Sequence, residues 1–278
     1  MLYQKFRPCA QLAPFVESYY VWTSKDEPVN NLVVESPPNG FCSIVFNTGD
    51  TYLLKNKKYA GFIVPRCFIA GQAIYSYSLS LTGVISIAGI VFKPAGLASL
   101  FHLPVYEFTE ERMDLRKHTD PLLVTHIEEQ LKALTDASDK AKLLEQFVLE
   151  LCNNTIPVPD DIDIAANRIV ELNGMLYVHD LLKDIYMSRR SFERKFFKKV
   201  GLSPKYYARI RRFSFLMNSI AGKKEADWVQ LFSDCAYYDQ SHFIKDFIAF
   251  TGRTPQQYLE ANKELATMIQ KPVTEPIQ

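Results

Sequence analysis

Between Tyr186 and Lys224 the chain carries twelve Lys or Arg residues and a single acid, Glu193. An excess of that size over so short a stretch is the electrostatic footprint of polyanion binding. A merely solvated helix surface mixes both signs. Within the stretch Phe192 and Phe196 stand four residues apart and share one helical face, while Arg190, Glu193 and Arg194 share another. A guanidinium can grip guanine O6 and N7 through two hydrogen bonds, and a carboxylate can accept from cytosine N4. Arg189, Lys195, Lys198 and Lys199 flank that face and suit phosphate oxygens. Glu193 has a second reading open to it, as the acid that orients a neighbouring Arg.

Other chemistry finds little support. The five cysteines, at 9, 42, 67, 152 and 235, form no CxxC pair, which argues for reduced, buried thiols. His102, His118 and His126 are spaced by 16 and 8, which suits no single-helix metal site. No GxSxG, HExxH, P-loop or GxGxxG motif occurs in the required context, so an enzyme is not expected, nor a cofactor or metal. No apolar run approaches eighteen residues, so no membrane partner is expected. The start, MLYQKFRPCAQ, lacks a signal-peptide core, and a cytoplasmic protein is expected.

The elements that must position the basic face are written twice. SRRSFERKFFKKVGLSPKYY (188–207) recurs as DQSHFIKDFIAFTGRTPQQY (239–258) at an offset of 51. Phe192 falls on Phe243, Phe196 on Phe247, Gly201 on Gly252, Pro204 on Pro255 and Tyr207 on Tyr258. Each copy predicts a helix, a left-handed Gly stop, a Ser or Thr N-cap, and Pro at the first turn of a following helix. Val178, Leu181, Leu182 and Ile185 predict a short amphipathic helix before the first copy. Trp228, Leu231 and Phe232 predict one before the second. Short helix, turn and second helix make a helix-turn-helix, here present twice and joined by a helix from Lys205 to Ile220.

These residues, with RRF at 211–213 and WVQLFSDCAYYDQSHFIKDF, resemble the DNA-binding domain of AraC/XylS-type transcription regulators. The resemblance implies double-stranded DNA as partner, with both second helices in successive major grooves about 34 Å apart. It casts Arg190, Glu193 and Arg194 as base-reading positions. In the second copy it does the same for Gln240, Ser241, His242 and Lys245. A metal role for His242 is rejected, since no second His or Cys completes a site. Phe197 either touches a thymine methyl or packs on the linking helix. Ala236 stands where the family favours Gly, and if that turn position needs a left-handed backbone, Ala costs about 1–2 kcal/mol there.

The expected fold class is α+β and multidomain. Residues 1–118 form a β-rich domain, for which a cupin-like form is one option. A helical connector spans 119–155, the double helix-turn-helix domain 156–265, and a frayed tail 266–278. Tyr75–Thr82 alternates apolar and polar residues as a half-buried strand, and Val84–Phe92 is expected as its hairpin partner. PFVESYYVW, PPNGFCSIVFNTGD and GIVFKPAGLASLF more loosely resemble the domain preceding the reader in one AraC-type subgroup. That implies sensing of a small-molecule effector, or dimerisation. Trp22, Phe46, Phe68, Tyr75, Tyr77 and Phe92 are candidate pocket residues, each also fit for plain core packing. The helical hairpin at 121–152 is expected to pair with a second copy rather than with its own domain. RNA polymerase is a further partner consistent with the resemblance. A DNA binder without sequence preference is the alternative function.

Overall fold

The computed structural model describes the chain apart from residues 26, 154, 184, 222–227, 262–274 and 277–278. The N-terminal half is two antiparallel sheets. The larger is built from β1 (Leu2–Arg7), β2 (Val16–Thr23), β4 (Cys42–Asn47), β7 (Cys67–Ala70), β9 (Ser86–Phe92) and β10 (Arg112–Asp114). The smaller contains β3 (Val29–Ser36), β5 (Leu53–Lys55), β6 (Phe62–Ile63) and β8 (Tyr77–Gly83). Strand order is β10-β7-β4-β9-β2-β1 in the larger sheet and β3-β8-β5-β6 in the smaller. Of the expected frayed tail only Glu275 and Pro276 are described, lying parallel to the end of β1.

The expected hairpin across Gly83 does not form. β8 pairs with β3 and β5, whereas β9 crosses into the larger sheet between β2 and β4. The residues explain the split. β8 alternates Tyr77, Leu79 and Leu81 with Ser and Thr, so it suits a sheet with one wet face. β9 (SIAGIVF) is apolar on both faces and takes a central place covered from both sides.

One face of the larger sheet packs on the smaller sheet through Trp22, Val45, Phe68 and Ile87 against Val34, Leu54 and Leu81. The other face carries Phe46, Ile69, Ile90 and Phe92 and is covered by helices. Those helices are α1 (Gly96–Phe101), α2 (Pro121–Ala133) and α3 (Ala137–Leu151). Asp120 and Asp136 cap α2 and α3 through their side chains. The helical hairpin therefore packs on its own domain, which corrects the expected pairing with a second copy. Val124, Ile127, Leu144 and Phe147 are buried in that core, and the Phe147 ring meets Phe46 edge-on at 5.4 Å.

The C-terminal part is helical: α4 (Asp161–Glu171), α5 (Arg189–Val200), α6 (Pro204–Ile220), α7 (Trp228–Asp234), α8 (Gln240–Thr251) and α9 (Pro255–Ala261). α5 and α8 have the same length of 12 residues and begin 51 residues apart. α6 runs between them and binds both into one core. Tyr207 meets Phe196 at 6.0 Å, and Phe213 meets Phe247 at 5.4 Å and Phe250 at 4.9 Å. Only a 3-10 turn, Asp180–Leu182, stands where the first short amphipathic helix was expected. Trp228 anchors α7 by packing on Phe243 and Phe247 at 5.7 and 6.0 Å. The first copy has Val178 in that place and lacks the aromatic anchor. The side chain of Phe232 lies outside the described residues.

Candidate nucleic-acid interface

Both second helices are capped as their sequences require. Ser188 accepts from the Ser191 N–H at 3.3 Å, and Asp239 from the His242 N–H at 2.7 Å. Both helices stop at glycines with φ of +86° and +74°, Gly201 and Gly252, a conformation that side chains with a Cβ disfavour. Ser203 and Thr254 then cap α6 and α9, with Pro204 and Pro255 at the first turn. Phe192, Phe196, Phe243 and Phe247 point into the shared core. The opposite face of α5 presents Arg189, Arg190, Arg194, Lys195 and Lys198 to solvent, and that of α8 presents Gln240, Ser241 and Lys245.

A family model described as a helix-turn-helix domain matches residues 181–261. The chain carries an AraC-type DNA-binding domain. A second model, a domain of unknown function (DUF6597), matches residues 4–114. No functionally curated protein is similar enough to match. Among solved structures the chain is similar to ToxT from Vibrio cholerae. An apo ToxT variant is 14% identical, covering 87% of this chain and 97% of that one, with a TM-score of 0.46. ToxT bound to an unsaturated fatty acid is 16% identical over 92% of this chain and 98% of that one, with a TM-score of 0.45. ToxT bound to (E)-4-(8-methylnaphthalen-1-yl)but-3-enoic acid is 13% identical over 94% and 99%, with a TM-score of 0.45.

Within the AraC-type domain the sequence-predicted residues divide. Arg190 and Arg194 carry no ion pair among the described residues and stand exposed near the start of α5. Glu193 is held by Arg189, Nε to Oε1 at 2.9 Å, one helical turn apart. His242 is half-buried, edge-on to Tyr237 at 5.3 Å and 4.0 Å from the Asp246 carboxylate. No cluster of metal-ligating side chains occurs among the described residues.

Two residues of α5 are placed elsewhere than expected. Lys199, expected at a phosphate, turns its ammonium inward. It donates to Ser99 Oγ at 2.9 Å, Asp160 Oδ2 at 2.7 Å and Asp163 Oδ2 at 3.1 Å. Burial raises the Asp163 carboxyl above its usual range, even against the hydrogen bond from Ser99. Phe197 stacks on Tyr106 of the β-rich half, with centroids 5.6 Å apart, rather than on the linking helix.

Lys199 is held mainly by the two carboxylates at the start of α4, with Ser99 of the β-rich half beside them. The sequence did not signal that the β-rich half also grips the C-terminal ends of both reading helices. Thr109 Oγ1 donates to the Gly201 carbonyl at 3.2 Å, and the Ser76 N–H to the Phe250 carbonyl at 2.8 Å. Arg253 pairs with Glu35. The linking helix is held as well. Tyr207 donates to the Gly40 carbonyl at 2.8 Å, and Arg211 bonds the Asn39 carbonyl and lies over the Phe41 ring at 4.5 Å. Gly40 has φ of +81°, and a Cβ there would meet Arg211 Cδ at 2.7 Å, so the close approach needs glycine.

The six aromatic pocket candidates separate by sheet face. Phe46 and Phe92 are buried in the core beneath the helices, which removes them from any pocket between the sheets. The strict alternation of a strand sends them away from the neighbours they were grouped with. Trp22 and Phe68 are buried between the sheets, and Tyr77 sits half-buried at the rim of that space. Tyr75 lies outside it, under the ammonium of Lys57 at 4.4 Å.

Proposed function

We propose that this regulator reads a specific DNA sequence by laying α5 and α8 into successive major grooves. Arg190 and Arg194 make the dominant base contacts, with Gln240, Ser241 and Lys245 adding weaker ones. Arg189, Lys195 and Lys198 hold phosphates, and Glu193 fixes Arg189. The supporting observation is a matched pair: two helices of equal length and equal caps, each with its aromatic face locked onto one linking helix. The β-rich half acts as the sensing domain. A small-molecule effector bound there is felt at the DNA because that half holds the far ends of both reading helices.

Selection of bound duplexes from a random library tests the reading. The expected product is one site with two contacted segments about 10 base pairs apart. Its affinity should exceed that of a scrambled duplex by about 10³ at physiological salt. Equal affinity for both duplexes would make the chain a DNA binder without sequence preference. RNA polymerase and a second copy of the chain are partners the same selected duplex can probe, through supershift and stoichiometry.

A further inference from the structure

The helical part contains a cleft of about 900 Å³ that no residue of the β-rich half lines. That volume suits a small organic molecule. One wall is the outer side of α4, at Ile164. A second is the segment leading into the first reading helix, at Tyr177, Leu181 and Ile185. The third is the turn before α8 and the first turn of α8 itself, at Tyr238 and His242. The cleft therefore touches both helix-turn-helix motifs. Its mouth is apolar although it faces solvent: Ile164 is 60% exposed, Tyr177 75% and Tyr238 92%. Exposed apolar side chains scattered singly are ordinary, but three around one concavity mark an interaction site.

Three carboxylates, Asp161, Glu171 and Asp180, line the cleft against two guanidiniums, Arg168 and Arg212. Both guanidiniums are engaged. Arg212 of the linking helix donates to the Ala236 carbonyl at 3.3 Å and the Gly174 carbonyl at 3.4 Å, which ties the two motifs together at this point. Arg168 pairs with Glu171 at 3.0 Å. Lys183 pairs with Asp180 at 2.7 Å, and its hydrogen bond holds the Asp180 carboxyl below the usual range, so that acid stays ionised. Asp161 is exposed and carries no ion pair among the described residues. A surplus of negative charge in a domain whose reading face is cationic makes this cleft a poor seat for a phosphate backbone. Aromatic faces beside an unpaired carboxylate suit the opposite charge, since the ring quadrupole attracts a cation.

We propose that this cleft binds a lipophilic monocation, a small organic molecule whose positive charge is quaternary or delocalised. Tyr177 and Tyr238 offer ring faces to the charge, Asp161 supplies the counter-ion, and Ile164, Leu181 and Ile185 pack the apolar body. A compact primary ammonium is strongly hydrated and gains less from such a site than a diffuse charge does. The occupant stands against Tyr238 and His242 at the start of α8, and so competes with the duplex for the second reading helix. That consequence rests on the function proposed above; whether the cation binds does not.

Calorimetry on the full chain tests the cleft with tetraphenylphosphonium and tetraphenylborate, which share one shape and carry opposite charges. The phosphonium is expected to bind, and the borate about 10-fold more weakly or less well still. Tyr177→Ala and Tyr238→Ala should each cost the phosphonium about 3- to 10-fold. Asp161→Asn should cost it about 2- to 5-fold. All three side chains are exposed, so these variants should keep the thermal transition of the unsubstituted chain. Ile164→Arg places a cation in the wall and should weaken the phosphonium by about 10-fold or more. No binding of the phosphonium, equal binding of the borate, or unchanged affinity in both tyrosine variants would each overturn the proposal. So would a dimer of the unliganded chain that Ile164→Arg dissolves in sedimentation, since a second copy would then fill the cleft. Gel shifts separate the two readings. Tyr177→Ala should bind the selected duplex as the unsubstituted chain does, yet need about 3- to 10-fold more phosphonium for its release. If neither protein prefers a specific duplex, the DNA reading falls, and the cleft is still decided by calorimetry.

Discussion

In the first reading helix position 195 is a lysine in solvent; in the second the equivalent position, Asp246, is a buried anion. Asp246 is 2% exposed and is held by Arg209 of the linking helix at 2.6 Å. At the next turn the exposed Lys198 corresponds to Ala249, and Lys199, held by Asp160 and Asp163, to the buried Phe250. The frame of the two helices is nearly identical, with aromatics, caps and stops in register, but their polar investment is opposite. The first helix keeps Arg190, Arg194, Lys195 and Lys198 in solvent, with only Lys199 turned inward. The second turns Asp246 inward to fix its own angle against α6. On the function proposed above, the duplicated motif divides into an affinity half and a positioning half while its second helix keeps the same length, cap and stop.

If the frames are equivalent, damage to either core should be equally severe. Phe196→Ala and Phe247→Ala each remove a fully buried ring from one shared cluster. Each is expected to lower stability by about 3–5 kcal/mol in chemical denaturation, with a single transition for the helical part. A large gap between the two values would show that the halves fold independently, and the comparison would lose its basis.

The opposed charges predict unequal losses at one register position. Asp246→Ala leaves Arg209 without its acid and should cost about 2–3 kcal/mol, the upper range being reduced because Arg209 is partly solvated. Lys195→Ala removes an exposed side chain with no ion pair among the described residues and should stay within about 0.5 kcal/mol. On DNA the order reverses. Arg194→Ala should weaken binding to the selected duplex by about 1–3 kcal/mol, and its counterpart Lys245→Ala by less than about 1 kcal/mol. Equal losses for Arg194 and Lys245 in a gel-shift titration would end the division into an affinity half and a positioning half.

Much of this frame was legible before any coordinates, because its signals are local. Phe, Gly, Ser or Thr, and Pro at fixed offsets describe caps and stops that depend on a few neighbouring residues. What the sequence hid depends on contacts between distant segments. Lys199 reads as one more surface cation until α1 brings Ser99 beside Asp163. Phe197 reads as a residue of the reading face or of the linking-helix contact, and its stacking on Tyr106 could not be foreseen. The separation of β8 and β9 into different sheets hinges on partners more than twenty residues away in sequence. Arg112 offered no signal at all, since a lone Arg in ERMDLRK becomes a buried cation only when the short strand β10 pairs with β7.

The smallest expected effect concerns the turn that sets the second helix. Ala236 stands where the family favours Gly, and its φ is +51°, in the left-handed region. That conformation costs an L-residue about 1–2 kcal/mol. Glycine would remove the strain but add unfolded-state freedom worth about 0.5–1 kcal/mol. The net gain for Ala236→Gly is therefore about 0.5–1 kcal/mol, a rise of about 2 °C in Tm. The equivalent turn of the first motif, at 184–186, has no such residue among the described positions, so no substitution there should reproduce the gain. Ala236 remains tolerable because its carbonyl accepts from Arg212 at 3.3 Å and its neighbour Tyr237 is buried against Phe243 at 5.4 Å. If Ala236→Gly lowers Tm instead, the strained turn is not a defect of the second motif but part of what aims it.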